Sequence, residues 1–410
     1  MRILLVSLDN SRNAVIGGKH IHQELITRGW RESGHHVDMV YPCGIKWYVQ
    51  RVFRNIKQVL GWLGKYEYFR RCLEANRRVL QRLVLAHVAK ATYDVISAQD
   101  VLAAVVVKSA FGPARPIPPV VLTLHGYYAH EAVNYSRLSG DDETKVMEYC
   151  LAIESEALQF ASGIVTVDSR IRRYVLERFR FAKPIKVIAN AIDDSRFFPV
   201  TAGERKALRC RLKLNVNDTL LIVARRLVNK NGVGYAVQAM QRLEQSGDLQ
   251  KWNVRMLIIG RGPEKKEIAG YIAESHLESR VKMVGVVPHG RIDAYYKAAD
   301  VVLMPSINSN NIEEATSLSM LEGMACGKVV IASAIGGLKE VIVHGENGLL
   351  VGEKDADALA NMIRCVTNGH VAADRIQANA ALYAKKNSGY LEHARTFIAF
   401  FKTIDSRIGN

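Results

Sequence analysis

The chain has 410 residues, 49% of them apolar and 23% charged, and a formal net charge of +16, enough for two domains that each bury a core. No apolar run approaches the roughly 18 residues that a membrane span requires. Six scattered cysteines, Cys43, Cys72, Cys150, Cys210, Cys326 and Cys365, include no Cys-x2-Cys pair, which argues against a zinc site or disulfide scaffold and suits a reducing cytoplasm.

The N-terminal Met-Arg-Ile-Leu-Leu-Val-Ser-Leu-Asp holds too short an apolar run for a secretory signal and reads as a first buried strand. Further short apolar runs follow at 36–41, 93–98, 120–124, 163–167 and 185–188, with longer helical stretches between most of them. Strands alternating with helices predict βαβ units and a parallel sheet. The nearly continuous apolar character of each run is what covering both sheet faces demands. Gly17-Gly18, after the first strand, opens a helix running to about Gly34 and would expose its N-terminus to a ligand.

Residues 46–90 carry 11 Lys/Arg against Glu67 and Glu74, a net +9. Residues 1–200 carry 28 Lys/Arg against 19 Asp/Glu, also +9, so the excess of this half lies in that one segment. Val49, Phe53, Ile56, Leu60 and Leu63 form a helical apolar stripe, with Arg51, Arg54, Lys57 and Lys65 off it and Trp47, Tyr48, Trp62 and Tyr66 nearby. Two readings stand: a helix packed on the first domain with a solvated basic face, or a basic amphipathic helix docking on an anionic membrane surface. No motif that reads RNA or DNA is present, so nucleic acid is not an expected partner.

His125-Gly126 stands at the carboxyl end of the 120–124 run. A polar, proline-punctuated stretch at 190–199 is expected to be the interdomain linker. The pattern then restarts, with apolar runs at 219–224, 254–259, 281–285, 301–304, 329–332 and 348–351. Ala224-Arg225-Arg226-Leu-Val-Asn-Lys230-Asn231-Gly232 is a basic turn after the first of these, and Gly260-Arg-Gly262-Pro follows the second. Residues 312–327 carry Glu314 and Glu322, with seven residues between them, between two apolar runs. Glu314 is expected in a loop and Glu322 in a helix, at the strand end where open α/β sheets bind ligands. Alone, such a pair would be two surface glutamates; its flanks, Met-Leu-Glu-Gly-Met-Ala-Cys-Gly above all, say otherwise. Asp355-Ala-Asp357 could pass for a metal motif, but it directly precedes a helix, and N-capping explains it better.

The 312–327 block resembles the E-x7-E signature of retaining glycosyltransferases of the GT-B fold, family 4. The Gly17-Gly18 loop, His125-Gly126, the Arg-Arg-to-Lys230 turn, Gly260-x-Gly262-Pro, Gly336-Gly337 and Asn347-Gly348 resemble further family motifs in the family's order. The resemblance implies an α/β protein with two Rossmann-like domains facing across a cleft and a C-terminal helix crossing back to the first. Expected boundaries are 1–195 for an acceptor-binding domain with 46–90 as a basic insertion, 196–385 for the nucleotide-sugar domain, and 386–410 for the returning helix.

It further implies transfer of a sugar from a nucleotide-sugar donor to a carbohydrate or lipid-linked acceptor with retention. No obligatory metal and no cofactor beyond the donor are expected. By resemblance the catalytic set is His125, Arg226, Lys230 and Glu314; Gly18, Asn190, Gly262, Thr316, Ser317, Leu318 and Glu322 bind the donor. The resemblance gives Arg226 and Lys230 the departing diphosphate, Glu314 the donor sugar and Glu322 the ribose diol. Family spacing departs here, because aligning Arg226 puts Asn231 at the Lys position, whereas Arg225 pairs with Lys230 at the family's interval. A sugar-nucleotide epimerase of the same fold, or a non-catalytic membrane- or nucleic-acid-binding scaffold, are the alternatives. The expected location is cytoplasmic, with 46–90 as the candidate contact to the inner face of the plasma membrane.

Overall fold

Each of the twelve apolar runs forms a strand. The computed structural model describes residues 1–8, 18–42, 64–111, 116–136, 139–309 and 314–405, which divide into two units: Met1–Ala189 with Leu391–Asn410, and Asn190–Tyr390. The first unit holds β1 (Arg2–Val6), β2 (His36–Val40), β3 (Val95–Ala98), β4 (Val120–Leu124), β5 (Gly163–Thr166) and β6 (Ile185–Val187). They form one sheet in the order β2-β1-β3-β4-β5-β6, parallel throughout. The second unit holds β7 (Thr219–Ala224), β8 (Val254–Ile259), β9 (Val281–Gly285), β10 (Val301–Met304), β11 (Val329–Ser333) and β12 (Leu349–Val351), in the parallel order β12-β11-β10-β7-β8-β9.

These orders decide where chemistry can sit. In each sheet the winding reverses once, between β1 and β3 in the first and between β7 and β10 in the second. At such a point the connecting helices diverge to opposite faces, leaving a crevice beyond the strands' carboxyl ends. The apolar runs make this possible, since β3, β4, β5, β10 and β11 are buried along their whole length and helices cover both faces.

The C-terminal helix Tyr390–Ile404 returns to the first unit. Ala394, Phe397, Phe400 and Phe401 pack with Ile3, Leu5, Trp30, Val95, Val121 and Val165. The Phe397 ring meets Trp30 edge-on at 5.9 Å and Phe401 at 6.0 Å. Phe397→Ala would open a cavity in this cluster and is expected to destabilise the protein by about 3–5 kcal/mol, read as a lower urea midpoint with the protein otherwise folded.

The stretch 190–199, read in the sequence as a linker, is built into the second unit. Ile192 N donates to Ser388 O at 2.8 Å, Arg196 Nη2 to His289 O at 2.7 Å, and Phe197 is buried against Tyr296. Asp355 caps the helix Ala356–Thr367 by accepting from Ala358 N at 2.7 Å, and Asp357 pairs with Arg242 at 3.0 Å. The Asp-Ala-Asp sequence is thus a helix start.

Of the basic segment, residues 46–63 and with them the apolar stripe from Val49 to Leu63 lie outside the described residues. Its remainder forms the helix Gly64–Val88, which packs Tyr66 and Phe69 against Ala129, Val133 and Val146. Glu67 binds Arg70 and Arg71 at 2.7–2.9 Å, and Glu74 binds Arg77 and the Tyr149 hydroxyl. Among the described residues no helix is long and apolar enough to cross a membrane.

Candidate active site

In the second unit the two strands flanking the reversal point supply the charges. β7 runs out into Arg225 and Arg226, and β10 into Ser306 and the segment bearing Glu314. Arg225 turns inward: its Nη2 lies 2.9 Å from Glu314 Oε1, its Nη1 donates to Ser306 Oγ, and its side chain is only 3% exposed. Lys230 Nζ lies 3.8 Å from the other oxygen of the same carboxylate. Burial by itself would raise the Glu314 carboxyl; the cations Arg225, Lys230 and Arg226 outweigh it and hold the group below the ordinary glutamate value.

Arg226, favoured in the sequence reading, is exposed. Arg225, its neighbour, completes the cluster with Lys230 and Glu314. Asn231, at the family's Lys position, is buried and donates through Nδ2 to Arg226 O at 2.7 Å, so it fastens the turn.

Two close backbone approaches shape this turn and the Glu314 segment. A Cβ at Gly262 would stand 2.0 Å from Leu227 O, and one at Gly337 would stand 2.6 Å from Thr316 N. Gly262 therefore lets the β8 loop lie against the basic turn. Gly337 lets its loop lie on residues 315–316 and donate its N–H to Glu314 O at 2.9 Å.

Thr316, Ser317 and Leu318 are buried at the start of the helix Leu318–Ala325. Asn190 reaches them with Nδ2 donating to Thr316 O at 2.8 Å, while its buried Oδ1 has no partner among the described residues. Ser319 Oγ donates to Ala224 O at 2.8 Å and ties the helix to the end of β7. Glu322, one turn into the helix, is 5% exposed, and its Oε1 lies 2.9 Å from His289 Nε2. His289 is set by Phe197, whose ring centre lies 5.9 Å away. It is a site residue whose partner, Glu322, lies 33 residues further along the chain.

Gly18 and His125 belong to the first unit. Gly18 opens the helix Gly18–Glu32 and is exposed; Gly17 lies outside the described residues. His125 follows β4, near the first sheet's reversal point. Its Nε2 lies 3.3 Å from Gln99 Oε1, and the His22 ring meets it edge-on at 4.8 Å. Burial, then His22, Lys19 and His393, push its pKa well below the ordinary histidine value, so the ring is neutral. His22, fully buried, is pushed down to about 3 by the same desolvation.

The family model described as Glycosyltransferase Family 4 matches residues 16–196, and that described as Glycosyl transferases group 1 matches residues 204–383. The chain belongs to these glycosyltransferases. An uncharacterized glycosyltransferase of Methanocaldococcus jannaschii is 26% identical over 84% of each chain. The amylovoran biosynthesis glycosyltransferase AmsK of Erwinia amylovora is 33% identical over 46% of this chain and 45% of its own. Anabaena HepE, solved in complex with UDP-glucose, superposes with a TM-score of 0.69 at 20% identity, covering 98% of this chain and 100% of its own. The glycosyltransferase thus has the GT-B type of α/β fold, with two six-stranded parallel sheets.

Proposed function

We propose that this glycosyltransferase moves a hexose-type sugar from a nucleoside-diphosphate sugar to an acceptor hydroxyl with retention of configuration. The observation that carries the reading is the cluster of Arg225, Lys230 and Glu314 at the β7/β10 reversal point. Two cations gathered on one carboxylate, with exposed Arg226 beside them, make a seat for a diphosphate. An arginine fork and a lysine point charge suit phosphate oxygens, and their charge is worth most once the leaving group has become a dianion.

In this reading the bond from the anomeric carbon to the diphosphate breaks as Arg225, Arg226 and Lys230 take up its charge. The acceptor oxygen bonds to that carbon from the same face, and its proton passes to the departing phosphate oxygen. No protein nucleophile enters. Glu314 orients the donor sugar, Glu322 accepts from the ribose diol, His125 contacts the sugar, and Gly18, Asn190, Gly262, Thr316, Ser317 and Leu318 line the donor site. The cations perform the charge neutralisation that a metal would supply, so the reading includes no obligatory metal; a chelator should leave the rate unchanged.

HepE was solved with UDP-glucose and AmsK is named for amylovoran biosynthesis. The first supports a nucleotide-sugar donor and the second a role in polysaccharide assembly; the reading extends this to polysaccharide or glycolipid assembly on the cytoplasmic side of a membrane. The basic segment 46–90 would hold the enzyme near a lipid-linked acceptor. The test is a thermal-shift panel of UDP, GDP, ADP and their sugar conjugates without metal. A ligand at 100 times its Kd stabilises the native state by about 2.7 kcal/mol, so one base should raise the melting temperature by several degrees. A panel in which none responds at millimolar concentration would overturn the donor-site reading.

A further inference from the structure

Gln99 follows β3 directly and is completely buried. Its amide nitrogen donates to Ser97 Oγ at 2.8 Å and to Thr123 Oγ1 at 3.4 Å, both on fully buried residues of β3 and β4. A primary amide offers two N–H donors and one carbonyl oxygen. With both donors spent on the sheet, the group turned to His125 is the oxygen, and Oε1 lies 3.3 Å from His125 Nε2. A carbonyl oxygen can only accept, so this contact is a hydrogen bond when Nε2 carries the hydrogen.

The surroundings oppose a second proton on the ring. Lys19, itself paired with Asp100 at 2.8 Å, adds positive potential, as would His20, His22 and His393 when protonated. No carboxylate is hydrogen-bonded to the ring among the described residues. The neutral ring then has a bare lone pair on Nδ1, for which no partner exists among the described residues.

We propose that Gln99 is a positioning residue that locks His125 in its Nε2–H tautomer, making Nδ1 an obligate hydrogen-bond acceptor that selects a donor sugar presenting a hydroxyl at that point. The selectivity rests on the reading that His125 contacts the sugar; the lock itself does not. Because Gln99 is held by hydroxyls on two adjacent strands, its oxygen is fixed to the sheet, and the imidazole inherits that rigidity. A sugar bearing a carbonyl, carboxylate or ether oxygen there would meet lone pair with lone pair, whereas a hydroxyl donates.

The experiment is long-range proton–nitrogen NMR of the full-length protein with nitrogen-15 histidine, the His125 signals being identified by their loss in His125→Asn. The wild type should show the neutral Nε2–H pattern throughout about pH 6 to 8. Gln99→Glu places a carboxylate against Nε2 and should bring a His125 titration into that range. Gln99→Leu should mix the tautomers and lower kcat about tenfold, the worth of one hydrogen bond, with nucleotide affinity unchanged.

A wild-type Nδ1–H pattern, meaning that the amide faces the ring with its N–H, would overturn the proposal and needs no variant to fold. So would a pattern untouched by both Gln99 substitutions. If His125→Asn transfers sugar as fast as the wild type while the Nε2–H pattern holds, the sugar-contact reading fails and the lock stands.

Discussion

Replacing Glu314 by Gln is expected to slow sugar transfer by about 10²–10³-fold and to lower the melting temperature of the unliganded enzyme. The side chain is nearly isosteric, so the effect is electrostatic. Arg225 is 3% exposed and is neutralised by Glu314 at 2.9 Å, with Ser306 its other partner. Removing one member of a buried pair leaves the other charge uncompensated, which typically costs about 3–5 kcal/mol. A nucleoside diphosphate would restore negative charge to the same cations, so its stabilisation of Glu314→Gln should match or exceed that of the wild type. A variant that melts like the wild type, and gains nothing extra from nucleotide, would remove the ion cluster from the mechanism.

The same cluster predicts acid sensitivity of a definite sign. The Glu314 carboxyl titrates below its ordinary value of 4.5 in the folded protein. Its contribution to stability is therefore present in full above that pH and is lost as the pH falls through the folded-state value. Wild type and Glu314→Gln should converge in stability at the acid end of a melting series.

The strands were legible because a sheet covered on both faces must be written in unbroken apolar runs, and every such run became a strand. Even β6, three residues at the sheet edge and largely open to solvent, kept enough of that signal. The placement of Glu314 in a loop and of Glu322 in a helix was legible too, because loop, helix and flanking strands fix them locally. Of their partners, Lys230 was named by resemblance, but the choice between Arg225 and Arg226 and the contact from His289 were not legible. Arg225 and Arg226 are adjacent where β7 ends, and a one-residue difference decides which turns inward. Ser306, 81 residues away, and Glu314 make that choice. His289 lies 33 residues from Glu322 and Gln99 lies 26 from His125. Each pair meets only because the parallel sheet brings distant strand ends to one edge. The 190–199 stretch misleads for a related reason: its polar groups bond to chain far away in sequence, so its composition looks like a linker's.

Glu322→Gln should separate the roles of the two carboxylates, because its expected effect falls on nucleotide binding instead of on the transfer step. Glu322 stands one turn into the helix Leu318–Ala325, almost wholly buried, with Oε1 held at 2.9 Å by His289. That contact orients the carboxylate and leaves acceptor capacity for vicinal hydroxyls of a ribose. Gln keeps one acceptor oxygen, loses the charge, and offers N–H groups where acceptors are needed. A hydrogen bond to a charged group is worth about 1.5–3 kcal/mol, so nucleoside diphosphate affinity should fall about 10- to 100-fold. Calorimetry on the unliganded variant reads this directly, and kcat at saturating donor should change far less than in Glu314→Gln. Unchanged affinity would make the His289–Glu322 contact a structural tie between two helices, and the diol would need another acceptor on the second unit.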